Sequence, residues 1–110
     1  MKIYGIKTCD TCRKALKELS NSGCNVEFVD IRSAPPAPEF YDRVFAAFGG
    51  SLINRRSKTW REMAESDQNS PPIDMFTQFP TVMKRPVIEG DGRMTLGWNA
   101  EVKTQWAGNS

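Results

Sequence analysis

Lys2-Ile3-Tyr4-Gly5-Ile6-Lys7-Thr8-Cys9-Asp10-Thr11-Cys12 stands near the start of the chain, and its reading decides the fold. Lys2 to Ile6 alternates and carries the β-rich residues Ile3, Tyr4 and Ile6, which predicts a strand. Lys7-Thr8-Cys9-Asp10-Thr11 is a polar turn holding good helix-capping residues. From Cys12 to Ser20 the residues Ala15, Leu16 and Leu19 recur at helical spacing, while Arg13, Lys14, Lys17 and Glu18 face water. Asn21-Ser22-Gly23 ends that helix. Val26-Glu27-Phe28-Val29 then predicts a second strand. Strand, helix and strand within about 30 residues favour a parallel βαβ unit.

Outward from this unit, Ser33-Ala34-Pro35-Pro36-Ala37-Pro38 is a stiff loop that continues neither strand nor helix. Glu39 to Phe48 places Phe40, Val44, Phe45 and Phe48 at helical spacing, and Gly49-Gly50 closes it. Leu52-Ile53 begins a pattern that leads through Trp60 and Met63 as a short helix or two. Ser66 to Pro72 reads as a polar turn region, and Ile73 to Phe79 as another short helix. Val87-Ile88-Glu89 and Met94-Thr95-Leu96 flank Gly90-Asp91-Gly92, a hairpin signal. Asn99 to Trp106 predicts a last helix. The expected fold is α/β and thioredoxin-like: βαβ, a helical insert, then ββα on a mixed sheet. Residues 1–110 are expected to form one domain, with the Pro-rich and Gly-rich breaks bounding its elements.

Composition narrows the chemistry. The 110 residues are 39% hydrophobic and 25% charged, with a net charge of +2. That balance argues against nucleic acid or an anionic membrane as the main partner. No apolar run is long enough to span a bilayer. Lys7, Asp10 and Arg13 interrupt the N-terminal stretch where a signal peptide needs an apolar core, so the cytoplasm is the expected location. Histidine is absent. Ser–His–Asp and Cys–His catalysis are therefore excluded, together with zinc sites that need imidazole. Cys9, Cys12 and Cys24 are too few for a disulfide scaffold and read as reduced thiols. A zinc site would have to recruit Asp10 or Asp30, and neither a metal nor a bound cofactor is expected.

Cys9-Asp10-Thr11-Cys12, a Cys-x-x-Cys between a strand and a helix, reads as redox-active. A thiol at a helix start faces unpaired backbone N–H groups and the positive end of the dipole, which favour thiolate. Cys9 is the expected nucleophile. Cys12, within the first turn, is placed to attack a mixed disulfide at Cys9. The alternative is that Cys12 is a small helix residue and only Cys9 reacts. Lys7, Thr11 and Arg13 flank the thiol as candidate substrate contacts, and Cys24 reads as structural. Lys84-Arg85-Pro86-Val87-Ile88 is the second signal. In a thioredoxin-like fold a cis-proline precedes this strand, leaving a backbone edge free for a thiol-bearing substrate. Arg85 then brings a fixed cation to the thiolate or to an anionic substrate. Arg56 is a further candidate contact, in the basic run Arg55-Arg56-Ser57-Lys58 whose default reading is a solvated helix face.

The stretches Tyr4–Thr11, Leu52–Arg61, Lys84–Ile88 and Leu96-Gly97-Trp98 together resemble the ArsC/Spx/YffB family, most closely its YffB type. That family comprises glutaredoxin-coupled arsenate reductases, the RNA-polymerase-binding regulator Spx, and small YffB-type proteins. The resemblance implies a thioredoxin-like core with a helical insertion and a reactive cysteine at Cys9. It also implies an arginine before a cis-proline, at Arg85 and Pro86. Three arginines hold the oxyanion in the arsenate reductases, and only Arg85 is matched here. Asn54 and Trp98 stand at the other two positions, Arg56 lies two residues past the first, and Lys7-Thr8 replaces an Asn-Pro. The implied function is a thiol-dependent reductase with glutathione or glutaredoxin as co-substrate or partner. The alternative is an Spx-type redox-responsive regulator that binds RNA polymerase, which the Cys9-x-x-Cys12 pattern favours.

Overall fold

In the computed structural model, which describes residues 1–107, strand β1 (Lys2–Gly5) lies parallel to β2 (Glu27–Asp30), and helix α1 (Asp10–Asn21) makes the crossover between them. The register pairs Ile3 with Phe28 and Gly5 with Asp30. Gly23, at φ 85°, takes the left-handed conformation that lets the chain leave α1. The chain divides into two compact units, Met1–Ala34 with the segment from Arg85 onward, and Pro35–Lys84.

The second unit is helical. Pro38 starts α2 (Pro38–Phe48), where its missing N–H costs nothing, and Gly49 at φ 58° ends it in a 3-10 turn. The short helices α3 (Lys58–Glu62), α4 (Glu65–Gln68) and α5 (Pro72–Gln78) follow. Tyr41 of α2 stacks on Phe76 of α5 at 5.6 Å. Ser57 caps α3 by accepting the Trp60 N–H at 3.0 Å. Helix α4 corrects the reading of Ser66 to Pro72 as turn over Ser66 to Gln68, while Asn69, Ser70 and Pro71 form the expected turn. With four residues the helix is too short for an apolar period, and its last residue is fixed by a tertiary bond, Gln68 Nε2 donating to the Trp60 carbonyl at 2.8 Å.

Strands β3 (Val87–Gly90) and β4 (Arg93–Leu96) complete the sheet of the first unit, in the order β2-β1-β3-β4. β3 runs antiparallel to β1, so the sheet is mixed. Asp91 at φ 51° and Gly92 at φ 73° make the two-residue turn of the hairpin, both in the left-handed region that a type I′ turn demands. Helix α6 (Ala100–Ala107) starts with Asn99 accepting the Val102 N–H at 2.8 Å. Ile3, Leu19, Ile88, Val102 and Trp106 form a buried cluster that joins β1 and β3 to α1 and α6. Trp106 donates its indole N–H to the Thr95 hydroxyl at 2.7 Å, which satisfies both buried polar groups. This is the thioredoxin-like arrangement expected from the order of elements.

Gly5 ends β1 under the first turn of α1. A Cβ there would stand 2.5 Å from Cys12 Sγ and 3.1 Å from Cys12 Cβ. Gly5→Ala is expected to destabilise the protein by about 1–3 kcal/mol, the usual cost of overpacking a full core. Gly50→Ala, where a Cβ meets nothing within 4 Å, is the control. Urea unfolding checks this, and an unshifted midpoint for Gly5→Ala would mean the space under Cys12 is not tight.

Candidate functional site

The turn that carries Cys9 is tied down from both strands. Past Gly5 the chain reverses, with the Cys9 N–H donating to the Ile6 carbonyl at 2.9 Å. Cys9 has an extended conformation (φ −81°, ψ 120°) and is itself the N-cap of α1, its carbonyl accepting the Arg13 N–H at 3.0 Å. Thr8, Asp10 and Thr11, the residues with better capping side chains, do not occupy that position. Asp30, opposite Gly5 at the end of β2, accepts the Lys7 N–H at 2.9 Å through Oδ2. Its Oδ1 accepts the Arg32 and Ser33 N–H groups at 2.9 and 3.1 Å. These donors, the Lys7 N–H foremost, hold the Asp30 carboxyl below its ordinary range in spite of its burial. Sequence reading weighed Asp30 only as a poor metal ligand. The signal for its real role is an Asp at a strand end followed by a turn, where its side chain captures backbone two and three residues on.

Arg85 arrives from the far end of the chain by sheet register. Tyr4 pairs with Val87 on antiparallel strands, so the residues before Val87 run alongside those after Tyr4. The Arg85–Pro86 bond is cis, and the Pro86 carbonyl accepts the Gly97 N–H at 2.8 Å. Burial pushes the half-buried Cys9 thiol up, and three donors more than offset it. The backbone N–H of Cys12 comes first, then the Cys12 side chain, then Arg85 through a hydrogen bond and its charge. The Cys9 thiol is held below its ordinary value. Cys12 has no exposed surface. Burial first, and then the neighbouring Cys9, push its thiol up to about 12. Two thiols three residues apart are thus driven in opposite directions. One is suited to be an anion and the other to remain a donor.

The other expected site residues fall around this centre or in the second unit. Lys7, Thr11 and Arg13 are exposed in the turn and first turn of α1, and Pro86 is buried. Arg56 belongs to the second unit, where its N–H donates to Asn54 Oδ1 at 3.1 Å and its side chain lines a hollow with Arg55 and Lys84. Cys24 points its thiol at the Trp106 carbonyl, 3.9 Å away, and packs against the core. Among the described residues no group of three Cys, Asp or Glu is placed to hold a metal ion.

A family model described as "ArsC family" matches residues 4–105. The chain belongs to the ArsC family. It is 36% identical over 102 residues to an uncharacterised protein of Haemophilus influenzae, covering 88% of this chain and 90% of that protein. A solved structure described as "YFFB (PA3664) protein" superposes with a TM-score of 0.85 at 28% identity, over 96% of this chain and 97% of that one. The "global transcriptional regulator Spx 1" of Lactococcus lactis is 25% identical over 107 residues, covering 90% of this chain and 82% of that protein.

Within this ArsC-family chain, the two positions that the resemblance gives to further oxyanion-holding arginines are otherwise engaged. Trp98 packs against the Ile3–Leu19–Ile88 cluster. Asn54 uses its side-chain oxygen on the Arg56 N–H. The thiols give the sharper expectation. Limiting iodoacetamide near neutral pH should alkylate Cys9 and leave Cys12 unmodified until the protein is unfolded, as read by peptide mass spectrometry. Labelling of Cys12 in the folded protein at a rate comparable to Cys9 would contradict the division of roles.

Proposed function

We propose that this protein is a thiol-dependent reductase coupled to glutathione or glutaredoxin, with Cys9 as its nucleophile. The observation that carries the reading is the convergence of the Cys12 N–H, the Cys12 thiol and the Arg85 guanidinium on one half-exposed sulfur. In this reaction the Cys9 thiolate attacks one sulfur of an oxidised substrate disulfide. A Cys9–substrate disulfide forms, and the other substrate sulfur leaves as a thiolate and takes up a proton. A glutathione thiolate then attacks the substrate sulfur, which frees Cys9 and releases a glutathione–substrate disulfide. A second glutathione thiolate then attacks the glutathione sulfur of that disulfide and releases the remaining substrate sulfur as a thiolate, so the substrate disulfide is reduced, two glutathiones become glutathione disulfide, and the protein returns unchanged. Cys12 serves as the S–H donor to the Cys9 thiolate. A resolving attack by Cys12 would first need the loss of a proton that its burial retains. Arg85 steadies the Cys9 anion and offers a planar fork to a carboxylate of glutathione. Lys7, Thr11 and Arg13 line the approach, and Pro86 leaves a backbone edge for the substrate. The setting that suits this chemistry is a reducing cytoplasm.

A second reading is an Spx-type regulator in which a Cys9–Cys12 disulfide alters a surface read by RNA polymerase. It is favoured by the Cys-x-x-Cys pattern and by the likeness to the Lactococcus protein.

Turnover of a glutathione mixed disulfide and of arsenate, each with and without glutaredoxin, tests the first reading. Mixed-disulfide reduction is expected and should vanish in Cys9→Ser. Arg85→Ala should lower kcat/KM about tenfold or more, the worth of a hydrogen bond to a charged group. No turnover, with stoichiometric co-purification of RNA polymerase, would give the second reading.

A further inference from the structure

Asp10, Arg13, Lys14 and Lys17 fall at i, i+3, i+4 and i+7 along α1, which makes them one stripe on a helix surface. All are exposed, and together with Leu16 they line a surface hollow. The opposite face of α1 carries the buried Cys12, Ala15 and Leu19. The stripe begins beside Cys9, the N-cap, and reaches Lys17 about 12 Å further on at 1.5 Å per residue. The charges facing it from neighbouring elements do not cancel it. Glu18 is tied to Lys103 of α6 at 3.1 Å, and Lys103, followed by Trp98 and Lys14, holds its carboxyl in the ionised form. Among the described residues Arg13 and Lys17 pair with no carboxylate. The surface therefore carries a net positive charge, with Arg13, Lys14 and Lys17 against the single acid Asp10 beside the reactive sulfur.

We propose that this stripe is a docking surface for an acidic protein partner that exchanges its disulfide or thiol with Cys9. The proposal rests on the reading of Cys9 as a nucleophile. The length of the stripe sets the partner's size. A small anion can meet Arg85 and the start of α1, whereas an extended acidic segment of four or five residues, at about 3.3–3.6 Å each, reaches from Cys9 to Lys17. The stripe raises the local concentration of acidic partners and orients their sulfur toward Cys9, so it acts on the association rate and is weakened by salt.

Two synthetic peptides test this, each with one cysteine followed by four residues, all Glu in one and all Gln in the other. Each is activated as its 2-thiopyridyl mixed disulfide. The Cys9 thiolate attacks the peptide sulfur, the peptide becomes disulfide-bonded to Cys9, and pyridine-2-thiolate leaves, takes up a proton and is read as the thione. For the wild type at low ionic strength the Glu peptide is expected to react about tenfold faster than the Gln peptide, and the ratio should fall toward one in 0.5 M salt. Lys14→Gln with Lys17→Gln should cut the ratio at least threefold, and Lys17→Glu alone should cut it as well. A ratio that persists in both variants, or a wild-type ratio near one, overturns the stripe. Failure of the wild type to react with the Gln peptide would instead overturn the reading of Cys9 as a nucleophile.

Discussion

A sulfur at the head of a helix is pulled two ways, because the burial that shields it from water also penalises its charge. At Cys9 that competition is decided by three donors, the Cys12 N–H, the Cys12 thiol and the Arg85 guanidinium, each placed by a different structural constraint. The N–H is available because Cys9, an indifferent capping residue, stands at the N-cap of α1. The thiol is in place because Gly5 leaves room beneath α1 for Cys12. The cation is present because β3 lies antiparallel to β1, with Val87 opposite Tyr4. Remove any of these and burial, which acts alone to raise the Cys9 pKa, gains ground.

The same arrangement explains why the turn itself is held so firmly. A thiolate tuned by hydrogen bonds depends on sub-ångström placement, and in the turn between β1 and α1 Ile6 is buried while Lys7 and Thr8 are exposed. Asp30 supplies a constraint by binding three backbone N–H groups from two loops, so the end of β2 fixes the approach to Cys9. A carboxylate satisfied by three donors is a stiff joint, and it costs little to keep ionised. The sheet, the clamp and the helix start act as one device.

How legible this was in sequence depended on the range of the interaction. β1, α1 and the β3–β4 hairpin were readable because their signals are local: alternation in Ile3-Tyr4, the Ala15–Leu16–Leu19 spacing, and Asp91-Gly92 between short apolar runs. Helix α4 was not, since four polar residues carry no period and Gln68 is fixed by a contact to Trp60. Cys9 and Cys12 stood out as a motif, but their opposite tuning is set by burial, which spacing alone does not reveal. Arg85 was legible through the expected fold and the proline after it. The roles of Gly5 and Asp30 were hidden because each acts on a residue brought near by strand pairing rather than by chain distance.

The donors around Cys9 outweigh its burial and hold its thiol below the ordinary value. Ultraviolet absorbance of the thiolate at 240 nm, followed against pH for wild type and Cys9→Ser, isolates that group by difference. The difference curve should show a single inflection below the ordinary thiol value of about 8.5. An inflection at or above that value would mean burial wins at Cys9, and the account of the site would fail with it.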